Sequence, residues 1–182
     1  MVTRVEEIIL FPLMGAFFYT EKKQKHLRFF RLLRSRFPPP FFLINSGKPV
    51  ETTGEMVRMV KEFYLRFPAK VEKIFRRMEQ VTRDFLEFLS GEKLNIEDSI
   101  RVNERLLERL GVVSPKTKTL IKRIEGIGGS AKISGAGGRK GNSGMVIAYH
   151  PDQEKLIDFG KKEGLFLFRV KLGEKGVRID KN

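Results

Sequence analysis

The stretch Ala131-Lys132-Ile133-Ser134-Gly135-Ala136-Gly137-Gly138 decides how this chain is read. A short apolar run with strand character breaks into small residues. Arg139, Lys140, Gly141, Asn142, Ser143 and Gly144 prolong the break, and Met145 to Tyr149 form a second apolar run. The pattern is strand, glycine loop, strand. Glycine admits positive φ and lets a ligand approach the main chain closely. Successive amide N–H groups in such a loop can enclose an anion. It is not a phosphate loop of the G-x-x-x-x-G-K-[ST] kind, which needs Lys and then Ser or Thr after its last glycine, with a helix following. Taken alone, the glycines fit an anion cradle or a plain mobile turn.

The rest of the chain narrows the setting. Its 182 residues have room for one domain or one and a half, and that length can bury a sizeable core. Hydrophobic content of 41% with 16 Phe argues for a folded protein. There is no Cys, which excludes disulfides and thiolate metal sites. His26 and His150 stand far apart, so a His-based metal site or a Ser/His nucleophile pair is not expected. No apolar run approaches the length of a membrane span. Arg4, Glu6 and Glu7 ahead of a brief apolar run make a poor secretory signal, and the expected compartment is the cytoplasm. The net charge of +14 raises nucleic acid, anionic lipid or phosphorylated ligands as partners. Residues 21–36 carry +6 of it, with seven basic residues against Glu21 alone.

In chain order, Val5 to Phe11 and Gly15 to Tyr19 read as strands, with Pro12 between them. Lys25 to Phe37 is expected to be a helix with an apolar stripe of Phe29, Phe30, Leu33 and Phe37, stopped by Pro38-Pro39-Pro40. Its basic faces fit a membrane surface or RNA, or simply the solvated outside of an amphipathic helix. Phe41 to Asn45 reads as a buried strand. Thr52 with Glu55 fits a capping box, opening a helix whose face is Met56, Met59, Val60, Phe63 and Phe67. A helix N-terminus beside a strand end can also hold a substrate carboxylate or phosphate.

Pro68 suits the first turn of the next helix, with a stripe from Val71 to Leu89 and Gly91 as its C-cap. Asn95 and Asp98 open a third helix with the stripe Ile96, Ile100, Asn103, Leu107 and Leu110. That spacing puts Asn103 on the apolar face, where its amide is expected to pin a neighbouring backbone segment. Gly111 ends this helix, and Ser114-Pro115 starts a fourth. After Tyr149, His150-Pro151-Asp152 opens a helix to about Lys162. Leu165 to Leu172 and Val177 to Asp180 read as final strands. Helices grouped before a small sheet predict an α+β fold.

Three of these stretches together carry a resemblance. Lys132-Ile133-Ser134-Gly135-Ala136-Gly137-Gly138 resembles the third motif of the GHMP kinases. Asn103-Glu104-Arg105-Leu106-Leu107-Glu108-Arg109-Leu110-Gly111-Val112, with Ser114, resembles a mevalonate kinase segment running asparagine, helix, leucine-glycine-valine, serine. Asn45-Ser46-Gly47, with Thr52-Thr53 and Met56-Val57, resembles the strand that ends in Asn-Thr-Gly and leads through Ser-Thr into a helix. The spacing among them is also as in mevalonate kinases. The resemblance covers roughly residues 14–150 and is strongest over 95–138.

The resemblance implies the C-terminal part of a GHMP-family kinase, with mevalonate kinase as the nearest match. Residues 51–182 would form its C-terminal domain, helices on a small antiparallel, ferredoxin-like sheet, and residues 1–50 would be a remnant of the N-terminal domain. The implied reaction is phosphoryl transfer from ATP to mevalonate, in isoprenoid biosynthesis. Ser134, Gly135, Ala136, Gly137 and Gly138 would lie beside the ATP phosphates and the substrate, and Thr52 and Thr53 would face the substrate cleft. No catalytic residue or metal ligand carries over. The family's Gly-Leu-Gly-Ser-Ser-Ala ATP motif and its Pro-Ser-Gly-Ile-Asp motif have no match, and Met14-Gly15-Ala16-Phe17 matches the strand after that Asp.

The expected partner is therefore an N-terminal half, or a homo-oligomer partner, that supplies the nucleotide pocket and the ligand for Mg2+. The chain is expected to be inactive alone. Phe17, Phe18, Phe41 and Phe42 would be exposed for that contact. Two departures mark the chain. Arg139 to Ser143 interrupt the glycine run, and the connection from Asn45 to Thr53 is one residue longer than in the family. The alternatives are another GHMP member such as phosphomevalonate kinase, with Arg139 and Lys140 meeting an extra phosphate, or a non-catalytic basic nucleic-acid-binding module.

Overall fold

In the computed structural model, the described residues are 18–23, 26–31, 40–90 and 95–170. Phe18–Lys23 (β1) and His26–Arg31 (β2) pair antiparallel, Phe18 opposite Arg31 and Lys23 opposite His26. This corrects the basic helix expected over Lys25 to Phe37, because residues 26–31 are a strand. The apolar positions Leu27, Phe29 and Phe30 fit either periodicity in so short a run, and aromatic residues favour strands. A six-residue ladder with β1 satisfies backbone groups that an isolated helix would satisfy within itself. The strands read over Val5 to Phe11 and Val177 to Asp180, and Gly91 as a cap, lie outside the described residues.

Phe42–Asn45 (β3) leads into the helical part: Thr53–Arg66 (α1), Pro68–Ser90 (α2), Glu97–Leu110 (α3) and Pro115–Gly126 (α4). Ser130–Ser134 (β4), Met145–Tyr149 (β5), Gln153–Glu163 (α5) and Leu167–Arg169 (β6) follow. The four later strands make one antiparallel sheet in the order β4-β5-β3-β6. This is the expected α+β arrangement of helices on a small antiparallel sheet.

The local chemistry explains most boundaries. Thr52 and Glu55 form the capping box, with Thr52 N–H donating to Glu55 Oε2 at 2.7 Å and Glu55 N–H to Thr52 Oγ1 at 3.3 Å. Pro68 begins α2 where the missing N–H costs nothing. Ser114 caps α4 with Pro115 behind it, and Asp152 caps α5. At α3 the cap position is Ile96; Asn95 stands one residue earlier, its Oδ1 accepting from Asp98 N–H at 3.3 Å.

The alternation of the strands builds two cores. Phe42, Ile44, Ala131, Ile133, Val146 and Ala148 point to one face. There they meet Met56 of α1, Val71 and Ile74 of α2, Leu106 and Leu110 of α3, Ile121 and Ile124 of α4, and Leu156 and Phe159 of α5. Each such fully buried aliphatic side chain contributes about 1.5–3 kcal/mol. On the opposite face Phe41, Ile147 and Tyr149 meet Ile96 and Ile100 of α3 and Phe85 and Phe88 of α2. Phe41 and Phe42 were expected to be exposed for a partner. They are 5% and 4% exposed, because β3 lies inside the sheet between β5 and β6 and both of its faces are covered.

β4 is an edge strand, and an open edge leaves backbone groups without partners. α3 runs along it and supplies them. Glu104 Oε2 accepts from Ile133 N–H at 2.9 Å, and Arg101, one turn earlier, donates to the Gly129 carbonyl at 2.7 Å. The backbone-pinning role expected of Asn103 therefore belongs to Glu104, which is fully buried, while Asn103 is half-exposed and has no side-chain hydrogen bond among the described residues. Steps of four from Ile96 and Ile100 arrive at residue 104, and the carboxylate is drawn inward by the edge N–H.

Burial pushes the Glu104 carboxyl up from 4.5 to about 7 against the Ile133 N–H, which favours the anion; Glu108 raises it further and Lys132 and Arg105 oppose. A carboxyl raised in the folded state binds more protons there than in the unfolded chain, so its stabilising effect is full below about 4.5 and is lost as pH rises through about 7. Wild type should thus lose stability relative to Glu104→Gln across that window in urea unfolding. Parallel curves would contradict the placement. Glu104→Ala, which strands the Ile133 N–H, should cost about 1–3 kcal/mol.

Candidate functional site

The loop between β4 and β5 is seated by the end of α3. Gly111 turns the chain out of the helix at φ +77. The next carbonyl, Val112 O, accepts from Gly138 N–H at 2.9 Å. At Gly137, also at φ +77, a Cβ would lie 2.0 Å from that same carbonyl, so only hydrogen fits. The leucine-glycine-valine segment and the glycine run are therefore two sides of one contact.

Three hydroxyls, those of Ser46, Thr117 and Ser143, tie down the loop's far end. Ser143 Oγ accepts from Ser114 N–H at 2.9 Å and donates to the Gly138 carbonyl at 3.1 Å. Ser143 N–H donates to Thr117 Oγ1 at 3.0 Å, and Ser46 Oγ donates to the Gly144 carbonyl at 2.7 Å. Ser114, Thr117 and Ser143 are almost fully buried. The N-cap of α4, the turn after β3 and the return of the loop thereby form one polar knot.

The connection from Asn45 to Thr53 and the segment from Arg139 to Ser143 meet in this region. Glu51, in that connection, accepts from Lys140 N–H at 3.1 Å and from Arg139 N–H at 3.2 Å. Those backbone hydrogen bonds, with the Lys140 charge, outweigh desolvation and hold the Glu51 carboxyl below its usual range. Pro49 forms a bridge with Gly141. The connection after β3 and the loop between β4 and β5 are held together by a carboxylate on consecutive amides.

This arrangement sorts the loop's N–H groups. Gly138 gives its N–H to Val112, and Arg139 and Lys140 give theirs to Glu51. The N–H groups of Gly135, Ala136 and Gly137 have no partner among the described residues. Gly135 at φ +100 and Gly137 at φ +77 flank Ala136, an alternation of the kind that can turn successive N–H groups toward one anion. Ser134 and Gly135 are exposed, while Gly137 and Gly138 are buried.

Thr52 and Thr53 stand next to Glu51, and so beside Arg139 and Lys140. The Thr52 hydroxyl is occupied by the capping box, donating to Glu55 Oε2 at 2.8 Å. The Thr53 side chain is exposed and has no hydrogen bond among the described residues. Glu51, Glu104 and the Ser46–Thr117–Ser143 knot escaped the sequence reading. The first could have been found by matching the acidic residue in the connection from Asn45 to Thr53 to the basic pair Arg139-Lys140. His150 is structural: its Nδ1 accepts from Asp152 N–H and its Nε2 donates to the Ile127 carbonyl, both at 2.9 Å. Among the described residues no cluster of metal-ligating side chains occurs, and no helix is long and apolar enough to cross a membrane.

Two glycine substitutions separate conformation from packing. Gly135→Ala meets a strained φ but open space, whereas Gly137→Ala meets the same kind of strain and the Val112 carbonyl. The φ strain alone costs about 1–3 kcal/mol at either position. Gly137→Ala should therefore lower the melting temperature more than Gly135→Ala. Equal losses would contradict the seat.

No protein-family model matches the chain. Over 128 residues it is 34% identical to the mevalonate kinase of Archaeoglobus fulgidus, covering 70% of this chain and 43% of that protein. The L. major mevalonate kinase, solved in complex with R-mevalonate, superposes with a TM-score of 0.70 at 15% identity, over 85% of this chain and 48% of that one. The Streptococcus pneumoniae phosphomevalonate kinase, solved with phosphomevalonate and AMPPNP, gives a TM-score of 0.57 at 19% identity, over 82% of this chain and 44% of that one. At these identities the two superpositions speak for the fold. The chain spans less than half the length of each of these relatives. Sequence likeness and fold together make this chain a C-terminal part of a GHMP-family kinase, similar to mevalonate kinase.

Proposed function

We propose that the chain works as the C-terminal part of a cytoplasmic, ATP-dependent mevalonate kinase of isoprenoid biosynthesis, its glycine loop holding phosphate oxygens during transfer. The observation that carries this reading is the run of three unpartnered N–H groups, Gly135, Ala136 and Gly137, on a loop fixed from behind by Val112. Phosphoryl transfer asks a protein mainly for positioning and electrostatic stabilisation. Amides already aimed at an anion stabilise developing charge without reorganising.

In this reading Ser134 and the free Thr53 hydroxyl border the substrate, and Thr52 holds the helix start that carries Thr53. The loop fits the phosphates of ATP. When bound, Mg2+ would neutralise part of their charge. The carboxylates nearest the loop do not offer themselves to it, since Glu51 is engaged by two amides and Glu55 by Thr52. The metal ligand, the base and the nucleotide pocket then belong to the ATP-binding half of the kinase, on the same polypeptide, on a separate one or on a second copy. The nucleic-acid alternative loses its main support, because the basic helix it used is a strand over His26–Arg31.

The test is an ATP-coupled assay on the purified 182-residue chain, alone and after addition of an N-terminal half carrying the ATP motif. No turnover alone and mevalonate-dependent ADP release from the mixture is the expected result. Robust turnover by the isolated monomer would overturn the proposal. Phosphorylation of phosphomevalonate in preference to mevalonate would move the chain to the neighbouring kinase.

A further inference from the structure

Beside the glycine loop lies a groove of about 310 Å³ between the C-terminal turns of α1 and α3. Three guanidinium groups from three separate elements line it: Arg66 of α1, Arg109 of α3 and Arg139 of the loop. Its apolar wall is Met59, Phe63 and Phe67. Arg66 lies over the Phe67 ring at 5.7 Å, and Arg139 Nη1 donates to Met59 Sδ at 3.3 Å. None of the three arginines has a carboxylate partner among the described residues. Glu62 is the one acidic residue on the groove and is itself in no ion pair among them.

An arginine in the last turn of a helix complements the helix dipole, which accounts for Arg66 and for Arg109 one at a time. It does not account for Arg139, which reaches the same groove from a loop whose backbone Glu51 holds at residues 139 and 140. Three like charges converging with Glu62 as the single carboxylate beside them leave a net positive charge, and an anion placed among them relieves their repulsion. Guanidinium groups favour planar, multidentate contact with phosphate.

We propose that this groove is a second anion site, one that takes a small organophosphate whose phosphate meets the arginines and whose apolar body lies on Met59, Phe63 and Phe67. Its size and half-apolar wall fit such a molecule better than a bare ion. The site is separate from the Gly135–Gly137 amides and does not rest on the kinase reading.

Isothermal titration of the whole chain with n-hexyl phosphate and with inorganic phosphate, in the same low-salt buffer, tests it. Hexyl phosphate should bind at least about tenfold tighter than inorganic phosphate, since its alkyl chain is removed from water. Arg109→Ala and Arg139→Ala should each weaken hexyl phosphate about fivefold or more, as expected for loss of a charge-assisted hydrogen bond. Lys155→Ala, which removes an equal charge on α5, should change it by less than about twofold. Both arginine positions are exposed, so folding should survive the substitutions. Equal affinity for the two phosphates would reduce the groove to a charge patch and overturn the proposal. Absence of binding, or binding indifferent to Arg109 and Arg139, would overturn it as well.

Discussion

The hydrogen bond from Gly138 N–H to the Val112 carbonyl, 2.9 Å long, is the contact on which the rest of the site depends. It requires a residue without a side chain at 137, because a Cβ there would collide with the same carbonyl. It also requires α3 to end where it does, since Gly111 must turn the chain before Val112 can present its oxygen. Two sequence motifs about twenty-five residues apart are thus the two halves of one hydrogen bond. With Gly138 bound to Val112, and Arg139 and Lys140 bound to Glu51, the open N–H groups among residues 135–140 are those of Gly135, Ala136 and Gly137. The loop presents a short edge of open amides backed by fixed structure.

That backing continues along β4. An edge strand leading into a loop is exposed to fraying, and α3 counters it with Glu104 on the Ile133 N–H and Arg101 on the Gly129 carbonyl. Lys132 adds a bond from its ammonium to the Ile133 carbonyl at 2.9 Å, and burial lowers its pKa while Glu104 raises it. Further along, Arg105 pairs with both Glu108 and Glu125, tying α3 to α4. The strand that enters the loop and the helix that supports it are therefore a single unit. The hydroxyl knot of Ser46, Ser114, Thr117 and Ser143 does the same for the strand that leaves it.

Much of this was legible in the sequence, and the reason is local. Thr52 with Glu55, Ser114-Pro115, Asp152 and Gly111 each act within a few residues of themselves, so their reading as helix ends carried over into the structure. The glycine loop was legible because strand, loop and strand follow one another directly. What the sequence hid is what depends on distant partners. Leu27, Phe29 and Phe30 suit a helix until β1 offers them a ladder. The run Phe41 to Asn45 reads as a buried strand, and only the position of β3 between β5 and β6 shows that this chain buries Phe41 and Phe42 by itself rather than leaving them for a partner. Asn103 and Glu104 are neighbours, and only the position of the Ile133 N–H decides which turns inward. Glu51 stands in plain view in the connection after β3, but its use appears only when residues 139 and 140 are beside it.

The central claim is that Gly135, Ala136 and Gly137 are the phosphate-holding part of the loop, and that the amides around them are already committed. Hydrogen exchange resolved to single amides, on the kinase completed by its ATP-binding half and measured with and without AMPPNP, tests it most directly. The account predicts that the nucleotide slows exchange at Gly135, Ala136 and Gly137 and leaves Gly138, Arg139 and Lys140 as protected as before. Protection gained at Arg139 and Lys140 instead, or no change at Gly135 to Gly137, would contradict it.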